Sequence, residues 1–259
     1  MRRFASICVM FALVILATGE ALATDLDDLY TSVAIVTGQG AKNRQLGFRD
    51  CLDRVLVRVS GDPRLPTLPR TEQLRARAGD FVASFSYHDR LAGKPVHDEQ
   101  GTYDRPHDLT CRYQPQTIDG ILSDLGSKPW LAERPTFMVI LDVDRSGQSY
   151  RVVDDNARDL AMREAFAAAA TPLALKVTFP TTEAAKRADA DTPTAVGADL
   201  PLVGRLTWSD PDLGWVAIWR LSHQGKTAVW TVRGVNFDEA FRVGMRGAAQ
   251  VLSGNGTPM

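Results

Sequence analysis

The sequence predicts an α+β protein built from two associated α/β lobes with mixed sheets, and three observations predict it. A strand-like run at 33–36 leads into a helix-period apolar stripe at 43–59. A continuous apolar run at 137–143 reads as a strand buried on both faces. Three alternating segments at 200–208, 215–221 and 227–233, parted by turn residues, read as an antiparallel meander, and a C-terminal helix follows.

The chain opens with a leader. Arg2 and Arg3 precede an apolar run over 4–17, and Ala21-Leu22-Ala23 supplies the small-x-small pattern that signal peptidase accepts. Residues 1–23 are therefore expected to be a cleaved signal peptide, and the mature chain to be periplasmic. The run is shorter than the roughly 20 residues that span a bilayer, and no later stretch is long and apolar enough to do so. The formal net charge is −1, and loss of Arg2, Arg3 and Glu20 makes it one unit more negative. Such a balance gives no general attraction to nucleic acid or anionic lipid, so neither partner is expected.

The first lobe is expected over 24–130. In the helix at 43–59, Phe48, Cys51, Leu52, Val55, Leu56 and Val59 make one stripe, and Asp50–Arg54 is an i, i+4 pair on the other face. Gly61 and Pro63 stop it. A second helix is expected near 72–82, strands at 84–87 and 109–113, a long polar loop over 91–106 between them, and a short helix at 118–125 ended by Gly126.

Lys128-Pro129-Trp130 and Arg134-Pro135 mark the division, and the second lobe is expected over 131–259. Asn156 can cap an alanine-rich helix stopped by Pro172. A strand is expected at 173–179, and a helix then a polar loop at 181–193. Asn236 with Glu239 forms a capping-box pattern for the last helix, whose stripe is Phe241, Met245, Ala248, Ala249 and Leu252.

Several stretches together resemble a family of exported bacterial proteins, domain of unknown function 2066. They are Val55-Leu56-Val57-Arg58-Val59-Ser60-Gly61-Asp62, Ser84-Phe85-Ser86-Tyr87, Lys128-Pro129-Trp130 with Arg134-Pro135, and the ending from Asp199 to Ser253. The resemblance implies a Gram-negative exported protein and brings no assigned reaction. Met138-Val139-Ile140-Leu141 lacks the tryptophan that members often carry after Arg-Pro.

Cys51 and Cys111 are the cysteines left after the leader. They read either as one disulfide, fitting an oxidising compartment, or as two buried free thiols. Asp142-x-Asp144-x-Ser146-Gly147 begins like a calcium loop, but its twelfth position is Val153, so a hairpin turn is preferred. His88, His97 and His107 share one polar segment without metal-ligand spacing. Thr37-Gly38-Gln39-Gly40 lacks the Lys-Ser/Thr of a phosphate loop and reads as a strand-to-helix turn. His223 sits in a turn, and no nucleophile elbow is present.

The tryptophans give the sharpest geometric expectation. A four-residue loop at 210–213 sets Trp208 opposite Trp215, and a two-residue loop at 224–225 sets Trp219 opposite Trp230. All four then share one sheet face. Exposed, that face would stack on sugar rings or grip a protein; covered by the helix at 236–252, the preferred reading, it is core. Val216 and Ile218 make the other face apolar too, which predicts cover on both sides. Without a coherent catalytic set, the sequence points to a non-catalytic periplasmic protein that binds another envelope component, protein or glycan, with no cofactor. The alternative is a hydrolytic or metal-dependent enzyme using His88, His97, His107, or Asp142 and Asp144.

Overall fold

Thr31–Thr37 (β1), Val82–Asp89 (β2) and Pro106–Tyr113 (β3) form an antiparallel sheet in the order β1-β3-β2. The computed structural model describes residues 28–93, 105–187 and 200–258; the leader, most of the polar loop and the segment before residue 200 lie outside them. Helix Ala41–Ser60 (α1) lays the stripe Phe48, Cys51, Leu52, Val55, Leu56 and Val59 on this sheet, where it meets Ala34, Val36, Leu109 and Cys111. Gly47 lets the helix come close: a Cβ there would stand 2.5 Å from side-chain atoms of Val36 and Leu109. Gly61 ends α1 in the left-handed region at φ 72°, its N–H bonded to Val57 O.

The helix expected at 72–82 is shorter and earlier. Pro69 occupies its first turn, so Pro69–Arg75 (α2) forms first, and Ala78–Phe81 around Gly79 is a separate 3-10 turn. Pro115–Asp124 (α3) buries Ile118, Ile121 and Leu122 beneath the same sheet.

The second sheet runs β5-β4-β7-β8-β9, with β6 also paired to β4. Its strands are Thr136–Arg145 (β4), Gln148–Arg151 (β5), Lys176–Thr178 (β6), Leu200–Ser209 (β7), Gly214–His223 (β8) and Lys226–Val235 (β9). β4 is parallel to β6 and β7, and the other pairs are antiparallel. β7–β8–β9 is the expected meander. Strand β6 is shorter than the run at 173–179, because Thr171–Leu173 turns as 3-10 helix and Ala174 adopts φ 52°. Helices Leu160–Ala170 (α4) and Phe237–Ser253 (α6) cover one face, and Thr182–Arg187 (α5) lies beside β5.

Asn236 caps α6 as expected, accepting from Glu239 N, whereas Asn156, accepting from Arg158 N, caps the 3-10 turn Ala157–Asp159 that precedes α4 rather than α4 itself. The reciprocal half of the capping box does not form. Glu239 pairs instead with Arg242 at 2.7 Å and Arg246 at 3.2 Å, two cations that outcompete a backbone N–H.

The lobes meet at the last turn of α1. Trp130 N bonds Val59 O at 2.8 Å, Arg58 Nη1 reaches Thr171 O at 2.8 Å, and Asn255 Nδ2 reaches Ser60 O at 2.6 Å. Arg134 stands over the Trp130 ring at 4.2 Å and donates to the carbonyls of Arg58, Trp130 and Leu173.

Candidate binding surface

The tryptophan ladder is in the register the loops dictate, Trp208 opposite Trp215 and Trp219 opposite Trp230. Its face is core rather than a binding surface. Trp215, Trp219 and Trp230 are buried under α6 and α4, with Phe166 and Phe241 meeting Trp219 edge to face at 5.6 and 6.3 Å. Three glycines admit the rings: a Cβ at Gly204 or Gly244 would sit 2.1 or 2.8 Å from the Trp219 indole, and one at Gly247 2.4 Å from that of Trp230. Trp208, at the rim, is half-buried and donates its indole N–H to Asp210 at 2.7 Å. Sugar or protein binding by a four-ring face is therefore corrected: α6 and α4 already cover Trp215, Trp219 and Trp230, and Trp208 alone reaches the rim.

The opposite face corrects the expectation of double cover. Among the described residues no helix lies across β7–β9 on that side, and Ile218 is 44% and Val229 59% exposed. Register lines up two outward rows. One starts from the buried Ile140 and runs outward through Val203, Arg220 and Val229; the next runs Arg151, Asp142, Arg205, Ile218, Thr231. The face is a mixed one, with aliphatic groups set among arginines. Arg205 is exposed, and Arg233, further along β9, pairs with Asp212 at 2.9 Å. Ser209 and Arg233 hold the Asp212 carboxyl below its usual range by hydrogen bonding. The interleaving of Arg205, Arg220, Thr231 and Arg233 with Val216 and Ile218 was the available sequence signal, because a doubly buried sheet would not place cations on that stripe.

At its β5 side this face runs into an open cleft of about 560 Å3, lined by Asp142, Asp144, Arg151, Arg158, Lys186 and Arg205 among others. Asp142 is held by both guanidinium arms of Arg151, at 2.7 and 3.0 Å, and Asp144 accepts from Ser149 Oγ at 3.2 Å. The loop between them and β5 is a two-residue hairpin, Ser146 at φ 55° and Gly147 at φ 74°, so the calcium-like spacing serves turn geometry. Arg158 caps the Tyr150 ring at 3.8 Å and pairs with the buried Asp159 at 2.7 Å.

The residues of the enzyme alternative are not brought together. His88 is exposed on the outer side of the first sheet. His107 points inward and is buried, its Nδ1 2.7 Å from Arg105 O and its Nε2 3.2 Å from Gln39 Nε2. His97 lies outside the described residues. Asp142 and Asp144 belong to the other lobe. Among the described residues no group of three or more His, Cys, Asp or Glu is placed to hold a metal ion. Gly38 and Gly40 make the strand-to-helix turn, and Gln39 faces His107.

Cys51 and Cys111 sit together in the first core as free thiols, both 0% exposed. Cys51 Sγ also lies 3.7 Å from Ser32 O and 3.6 Å from Leu109 O. Contact with Cys51, reinforced by burial, pushes the Cys111 thiol up, and the same contact draws the Cys51 thiol down; it is the full burial of both sulfurs that keeps reagents from them. In reduced protein, Ellman's reagent should find no reactive thiol in the native state and two after addition of denaturant; reaction before unfolding would contradict this packing.

Comparison with known proteins gives one match. Residues 23–131 are similar to a family described as Domain of unknown function (DUF8605), a stretch that contains the whole first sheet and α1 to α3. No curated protein and no solved structure matches the chain. Among the described residues no helix is long and apolar enough to cross a membrane.

Proposed function

We propose that this is an exported, non-catalytic periplasmic protein that holds another cell-envelope protein on the outer face of its second sheet. The observation that carries the reading is the outward stripe of Ile218 and Val229 set among Arg205, Arg220 and Arg233. Exposed aliphatic groups flanked by cations suit a protein surface that offers apolar side chains with carboxylates around them. A glycan fits less well, since the rings that would stack on sugars are packed under α6. Export rests on the leader read from the sequence. Membership of the 2066 family is part of the same proposal; the match at 23–131 is to a different family of unknown function.

The test is affinity purification of the mature protein from periplasm, followed by mass spectrometry. A stoichiometric envelope protein should co-purify with the wild type. The double variant Ile218→Asp, Val229→Asp should lose it while still unfolding in one cooperative urea transition, the strand positions costing about 1 kcal/mol each. Equal recovery by the double variant, or a full-length chain with residues 1–23 retained in the cytosol, would contradict the reading.

A further inference from the structure

The first sheet has an edge that its sequence leaves unguarded. Sheet edges in folded proteins are commonly protected by charge, proline, bulges or shortness. Here β2 carries an extra residue at Ala83, and β9 carries Lys226, Arg233 and a bulge at Arg233-Gly234. Strands β5 and β6 are only 4 and 3 residues long. Strand β1, Thr31–Thr37, has no charge, no proline and no shift of register against β3.

The direction of its open backbone groups follows from the ladder. Tyr113 N–H bonds Tyr30 O at 3.1 Å, and Gly38 N–H bonds Arg105 O at 2.7 Å. Even-numbered positions therefore face β3, and the N–H and C=O of Val33 and Ile35 face away from it. No strand pairs with that side among the described residues. Their side chains are 40% and 54% exposed on the outer face.

A groove of about 380 Å3 runs between this edge and α1. Ile35 lines the groove from the strand side, Leu46, 53% exposed, forms its apolar wall on α1, and the exposed Asp50 lies one turn further along that helix. Nearby Arg49 and Arg75 are already engaged by Glu72, and Arg75 also by Asp53. Asp50 is the carboxylate of the groove that no guanidinium in this cluster engages.

We propose that β1 takes up an extended peptide of another protein as an added strand, one that alternates aliphatic and basic residues. Its aliphatic side chains continue the stripe of Val33 and Ile35. Its basic side chains lay their stems on Leu46 and bring their charge to Asp50, while its backbone bonds the open groups of Val33 and Ile35. A second copy of β1 would match the backbone but brings no cation in its own strand for Asp50. The site lies in the first lobe and stands apart from the outer face of the second sheet.

The probe is a capped heptapeptide of alternating valine and lysine with threonine at each end, titrated into the isotopically labelled mature protein. At saturation the Val33 and Ile35 amides should exchange with solvent about tenfold more slowly. The same peptide with glutamate in place of lysine should leave them unchanged, and Asp50→Lys should raise the peptide Kd at least about tenfold. Ile35→Pro removes the outward N–H, and Ile35→Lys, which keeps the backbone, charges the valine side; each should abolish the protection. No slowing with the lysine peptide, or an equal response from the glutamate peptide or the Asp50→Lys protein, would overturn the proposal. So would slow exchange without peptide in a protein that sediments as a dimer, the result expected if a second copy were the occupant. Loss of the partner at position 218 leaves this titration unaffected, so the two claims fail separately.

Discussion

Replacing Trp219 by alanine is expected to lower folding stability by about 3–5 kcal/mol, the range for truncating a large buried aromatic. Against a native stability of about 5–15 kcal/mol, this removes a large share. The residue is 0% exposed at the centre of the second core, enclosed by Phe166, Phe241, Gly204 and Gly244. A sheet on one side and α6 on the other fix its walls, so the cavity cannot close. Its indole N–H is buried without a partner. Trp219→Phe deletes that donor and keeps most of the ring, so it should cost clearly less than alanine. The complementary experiment fills the space from outside. Gly204→Ala would set a Cβ 2.1 Å from the indole and should cost about 1–3 kcal/mol through forced repacking. Urea denaturation followed by circular dichroism measures all three. A Trp219→Ala loss below that of Trp219→Phe would mean the core is arranged differently.

The second large effect is expected at the joint. Arg134→Ala should cost about 2–4 kcal/mol, because a charged donor leaves three carbonyls and a ring face at once. Burial, with repulsion from Arg58, pushes the Arg134 pKa down to about 10, which still keeps the guanidinium protonated at neutral pH. Lysine should not rescue the variant, since a point charge cannot span carbonyls from α1, the linker and the turn before β6. The placement of the tryptophans supplies a sharper readout. Trp130, Trp208, Trp215, Trp219 and Trp230 are all of the tryptophans, and all lie in or against the second core. Fluorescence thus reports that lobe alone, whereas circular dichroism reports both. In the wild type the two urea transitions should coincide. In Arg134→Ala they should separate, with the first lobe no longer tied to the second. Coincident transitions in the variant would show that the remaining bonds of Trp130, Arg58 and Asn255 hold the joint unaided.

What the sequence revealed, and what it hid, follow from the range of the interactions involved. The tryptophan register was legible because loop length fixes hairpin pairing, and loops of four and two residues leave one choice. The stripe of α1 was legible for the same local reason: one face of one helix meets one sheet. The end of α1 at Gly61 needed only the left-handed residue that stops a helix. The α2 region misled because Pro69 starts a helix that is over by Arg75, with Gly79 inside a separate 3-10 turn, and apolar spacing over 72–82 registers neither effect. The open face of the second sheet was missed for a different reason. Val216 and Ile218 look buried when read alone, but Arg220 follows on the same face of β8, and Arg205 of β7 stands beside Ile218 once the strands are paired. The bare edge of β1 is a property of the sheet order β1-β3-β2, in which the first strand pairs with the third. Nothing within residues 31–37 encodes that.

The central claim, that a protein partner is held on the outer face of the second sheet, is tested most directly by photocrosslinking in living cells. A photoreactive residue at position 218 is compared with one at 242, which is exposed on the α6 side of the same lobe. A single major adduct with one envelope protein is expected from 218 and none from 242. An adduct from 242 alone, or a partner that co-purifies with the protein yet never crosslinks from 218, would contradict it.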